Sequence, residues 1–90
     1  MNESDQKFEQ IRNDYKNKTQ ELYYQYLQKY YLLKLDHAKG IISSNDFHRS
    51  VCELNLNHIR KLAELQAQED TAHKQIFDQS IQKRKSLLPS

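Results

Sequence analysis

Three features of this sequence predict an all-α fold, a single antiparallel hairpin of two long helices. Apolar residues recur at helical spacing through most of the 90 residues, the chain has one Gly and one Pro, and one short segment carries both helix-stop and helix-start signals. Runs of alternating residues separated by turns, as an all-β domain needs, are missing. Hydrophobic residues make up 37% and charged residues 29%, a polar composition that still exceeds the usual range for disorder. A chain of this length makes one domain, spanning residues 1–90.

The first helix is expected over about residues 5–39. Phe8, Ile11, Tyr15, Thr19, Leu22, Tyr26, Tyr30 and Leu33 follow one another in steps of 3, 4, 4, 3, 4, 4 and 3, which draws one stripe along a helix. The pattern repeats every 11 residues (Phe8, Thr19, Tyr30), a period that suits a straight helix. Tyr23, Leu27, Tyr31 and Leu35 form a second stripe beside it, so the C-terminal half of this helix is apolar over a wider arc.

The loop is placed at residues 40–42. Gly40 suits the left-handed C′ position that ends a helix. Ser43 is an N-cap, Asp46 stands where a capping box closes, and Ile42 with Phe47 makes a hydrophobic staple. The second helix, about residues 43–86, carries the stripe Phe47, Val51, Leu54, His58, Leu62, Leu65, Glu69, His73 and Ile76. Glu69 and His73 interrupt it, either to break the seam or as solvated groups where the hairpin splays. Lys83, Arg84 and Lys85 form a basic last turn suited to the helix dipole. Residues 1–5 and 87–90 are expected to be loose ends, with Pro89 closing the chain.

Centring the loop on these residues makes paired positions across the hairpin sum to about 84. Leu33 then meets Val51, Tyr30 meets Leu54, Tyr26 meets His58, Leu22 meets Leu62 and Thr19 meets Leu65. Phe8 meets Ile76 or Phe77. The two stripes coincide along their length, a consistency that neither stripe requires alone. His58, opposite Tyr26, is expected to share a hydrogen bond with that hydroxyl.

Two helices in contact bury one stripe each, too little core for a small domain without disulfide or metal staples. Completion by dimerisation into a four-helix bundle, or by docking on a partner, follows. Tyr23, Tyr24, Tyr26, Tyr30 and Tyr31 are the candidate partner-binding face, because tyrosine offers large area, few rotors and a polar tip. The plainer alternative is that the rings pad the core with their hydroxyls in water.

Other chemistry finds less support. His48 and Cys52 share a face of the second helix, and His37 with Asp36 approaches from the first, which makes the one conceivable zinc set. It has no CxxC or second paired motif, so no metal or cofactor is expected. No Gly-rich phosphate loop and no nucleophile beside a base is present, so catalysis is not expected. Arg12, Lys16 and Lys18 share one end of the rod with Lys74, Lys83, Arg84 and Lys85, a basic pole that could contact phosphates. Glu9, Asp14 and Asp78 dilute it, and the net charge is only +2. No apolar run approaches the roughly 20 residues of a membrane span. The acidic start is no secretory signal, and Cys52 is the lone cysteine, so a reducing, cytoplasmic location is expected.

The stretch Leu32-Leu33-Lys34-Leu35-Asp36-His37-Ala38-Lys39-Gly40-Ile41-Ile42-Ser43-Ser44-Asn45-Asp46-Phe47, followed by Leu54, resembles the SHOCT-type short helical hairpin of bacterial proteins. That family has Leu-rich residues, a Gly-Ile-Ile/Thr-Ser/Thr turn, an acidic residue with an aromatic, and a closing Leu. Its members are short and terminal, whereas this stretch lies between two long helices. The resemblance implies a helical interaction module with no catalytic residues. The functional expectation is a non-enzymatic adaptor, regulator or inhibitor that binds a protein partner, itself included; small phage-encoded regulators share the profile by analogy. Alternatives are a nucleic-acid-associated accessory factor using the basic pole and a subunit of a helical assembly.

Overall fold

The computed structural model describes residues 3–87 and consists of two helices, α1 (Glu3–Ala38) and α2 (Ser44–Leu87), packed antiparallel. Met1, Asn2 and Leu88–Ser90, with the expectation for Pro89, lie outside the described residues. The register agrees with the pairing derived from the stripes. His37 stacks on Phe47 near the turn, Tyr26 packs on His58 in the middle, and Ser4 and Ser80 share a hydrogen bond of 2.9 Å at the far end. Each of these pairs sums to 84 in residue number.

The hairpin therefore stays closed at its open end, and two expectations change. Glu3 to Asp5, expected to be loose, belong to α1. Glu3 and Asp5 place negative charge in the first turn, where the helix dipole favours it, and Lys7 lies 3.5 Å from Glu3 one turn on. The hairpin does not splay at Glu69 and His73 either, because both side chains are half-buried in the seam. At the other end Leu87 closes α2 instead of starting a loose tail.

The turn is built by backbone hydrogen bonding. Gly40 has φ +75°, the left-handed conformation expected at C′. Its N–H donates to the His37 carbonyl at 3.0 Å and that of Ile41 to the Asp36 carbonyl at 2.9 Å, the two bonds of a Schellman motif. α2 starts at once: the Asp46 N–H donates to Ser43 Oγ at 3.1 Å, which satisfies one of the amides a helix start leaves open. Ile42 and Phe47, the two halves of the staple, are both half-buried.

Packing is thin everywhere else. The molecule measures 74 × 21 × 10 Å, a sheet one helix thick, and its radius of gyration is 20.9 Å against roughly 12 Å for a compact chain of this length. Ile76, 9% exposed, is the one buried apolar residue among those described, and α1 buries none. Seam residues such as Leu22, Leu33, Leu54, Leu62 and Leu65 are only half-buried, since one facing helix cannot enclose them. Thr19 departs from its stripe: it is exposed, and its hydroxyl donates to the Tyr15 carbonyl at 2.8 Å. A threonine can satisfy itself this way on its own helix, which removes any need to face Leu65.

Candidate functional site

A layer one helix thick has two broad flanks, and they differ in chemistry. Along one flank Lys18, Glu21, Gln25 and Lys29 of α1 line shallow grooves with Asn57, Lys61, Glu64 and Gln68 of α2. Nearer the turn on the same side, the exposed Leu32 shares a groove with Leu33 and Leu54, rimmed by Lys29, Asp36, Ser50, Glu53 and Asn57. Both signs of charge alternate there, as on an ordinary solvated surface.

The opposite flank is apolar near the turn. On α1 it presents Tyr23, Leu27 and Tyr31, with Tyr24 and Leu35 toward its outer rim. On α2, Cys52, Ile59 and Ala63 lie on the side of the helix away from Asn57 and Lys61, with Leu56 toward its outer rim. Tyr31 is 59% exposed, Leu56 61% and Ile59 61%. The patch begins about 10 Å from the turn and extends for roughly 20 Å, at 1.5 Å per residue. Farther along, Phe77 and Ile81 continue the same flank of α2 and form a groove with Phe8 and Arg84.

The five tyrosines of the candidate binding face do not act as one face. Tyr26 and Tyr30 turn inward, half-buried, with their rings stacked 6.2 Å apart at 12°. They lie four residues apart on the stripe that meets α2, so the seam claims them. Tyr23, Tyr24 and Tyr31 remain exposed. The rest of the surface comes from α2, where Leu56 and Ile59 carried no functional expectation. Their spacing, four and seven residues from Cys52, was the signal that could have marked them.

The seam also redistributes its polar groups. The Tyr26 hydroxyl donates to Asn55 Oδ1 and not to His58, as had been expected. The His58 ring instead packs against the Tyr26 ring with centroids 4.8 Å apart, leaving the phenol oxygen beyond it to reach one turn back along α2. Phe8, expected on Ile76 or Phe77, lines one groove with Phe77 and also meets the His73 ring edge-on at 5.4 Å, while Phe77 stays 58% exposed. His73 Nε2 is buried with no hydrogen-bond partner among the described residues.

The conceivable zinc set does not assemble. His37 is engaged at the turn, with Nε2 3.1 Å from Ser44 Oγ and its ring 4.7 Å from Phe47. His48 and Cys52 are exposed on α2, and among the described residues no three His, Cys, Asp or Glu side chains converge.

The basic pole exists as a location but is diluted by acids. Lys74 Nζ binds Asp78 Oδ2 at 2.8 Å, and that hydrogen bond and charge raise the lysine above its ordinary 10.5. Lys83 and Arg84 share their groove with Glu3 and Asp5. Arg12, Lys16 and Lys85 are exposed, and Lys18 lies 4.6 Å from the centre of the Tyr15 ring. None of the described helices is long and apolar enough to cross a membrane. No protein-family model, no curated protein and no solved structure matches the chain.

Proposed function

We propose that this protein is a non-enzymatic helical interaction module that binds protein through the apolar flank of its hairpin near the turn. The observation that carries the reading is the difference between the two flanks: Tyr23, Tyr31 and Ile59 stand exposed on one with Leu56 at its rim, while the other alternates Lys, Glu and Gln and exposes Leu32 alone. Large apolar side chains left exposed on one side of a molecule are the usual mark of a protein-binding surface. The turn is scaffold, setting the register that brings the two apolar stripes side by side. An adaptor, regulator or inhibitor would use such a surface, and a cytoplasmic setting suits the exposed Cys52 thiol.

Site-specific photocrosslinking in the native host tests the reading. A benzophenone side chain at Tyr31 or Ile59 is expected to give discrete protein adducts, and one at Gln25 or Glu64 is not. Equal adducts from both flanks, or none from Tyr31 and Ile59, would remove the proposal.

A further inference from the structure

We infer that the occupant of the apolar flank is a second copy of this chain, packed face to face so that two hairpins make a four-helix bundle. This rests on the interaction reading above and specifies its partner.

The first argument is area. The chain exposes 7452 Å², about a third more than the roughly 5500 Å² expected of a folded monomer of 10.8 kDa. The excess, close to 2000 Å², is more than the ~800 Å² per partner of a standard interface. The second argument is the core. With Ile76 the one buried apolar residue among those described, the hairpin has too little interior to hold itself together, so its flank must be covered whenever the chain is folded. A second copy is the one partner always present in equal amount with the chain. The third argument is charge. Cys52, Ile59 and Ala63 on α2, with Tyr23, Leu27 and Tyr31 on α1, carry no formal charge, and the one charge beside them on α1, Lys34, sits at the turn end of the flank over the Tyr30 ring, so two copies running antiparallel meet without repulsion across its centre. A twofold axis in the plane of the flank places the same patch on both sides, as an isologous interface requires.

The experiment is sedimentation equilibrium of the full chain at tens of micromolar, with far-UV circular dichroism on each sample. The wild type is expected at twice 10.8 kDa. Ile59→Arg and Tyr31→Asp are expected to weaken association at least 100-fold. Leu32→Asp is the control: Leu32 is also 61% exposed but lies on the polar flank, so its variant should stay dimeric. A folded wild-type monomer overturns the inference whatever the variants do, and so does a dimer that Leu32→Asp disrupts while Ile59→Arg and Tyr31→Asp do not. If flank adducts to another protein accompany a wild-type monomer, self-docking falls and the interaction reading stands.

Discussion

Replacing Gly40 by alanine isolates a single physical term, because the turn separates steric from conformational cost. A Cβ built at Gly40 meets nothing within 4 Å, so no clash accompanies the change. What remains is the φ of +75°, which costs an L-residue roughly 1–2 kcal/mol. The lower entropy of the unfolded alanine chain offsets about 0.4–1 kcal/mol of that. The expected net loss is about 1 kcal/mol per chain, which lowers the melting midpoint by roughly 4–8 °C in a domain of this size. Thermal unfolding followed at 222 nm measures it, at one fixed chain concentration because association shifts the midpoint. Gly40→Asn should lose less than half as much, since asparagine tolerates the left-handed region. If Gly40→Ala melts at or above the wild type, the Schellman turn is not what joins these helices.

Tyr26→Phe should cost about 1 kcal/mol in chemical denaturation by removing the hydroxyl that Asn55 accepts, with little further loss when Asn55→Ala is added. Ile76→Ala should be the most damaging single truncation in the seam, at roughly 2–4 kcal/mol, and Leu65→Ala milder because Leu65 is only half-buried. Asp78→Asn tests an exposed pair. A raised Lys74 contributes stability present below 10.5 and lost as pH climbs through the folded value, so the small difference in melting midpoint between Asp78→Asn and the wild type should stay constant between about pH 6 and 9. Changing Lys83, Arg84 and Lys85 together to alanine should leave the mass in solution unchanged, and duplex DNA should bind neither form near physiological salt, by fluorescence anisotropy.

The fold was legible because its signals are local and mutually consistent. Gly40, Ser43 and Asp46 act over a few residues, and the spacing of Phe8 through Leu33 against Phe47 through Ile76 leaves one register that aligns both stripes. The surface was only half legible. Spacing already sets Tyr26 and Tyr30 on the stripe that meets α2, but it does not say how far one neighbouring helix covers them, so they also counted with Tyr23, Tyr24 and Tyr31 as binding face although the seam half-buries them. Ile59 and Ala63 are legible in the sequence as neighbours of the second stripe, but their role is not, because the flank exists only once the two helices are side by side. Asn55 could not have been chosen over His58 as the partner of Tyr26, because which group a phenol reaches depends on ring tilt.

Small-angle X-ray scattering of the unmodified chain tests the central claim most directly, since it reads mass and cross-section together. Two hairpins joined through the apolar flank add a layer about 10 Å away, near the usual helix-to-helix spacing. The account predicts twice 10.8 kDa and a nearly square cross-section in place of the single hairpin's 21 × 10 Å. A mass of 10.8 kDa with the flat cross-section retained would contradict it.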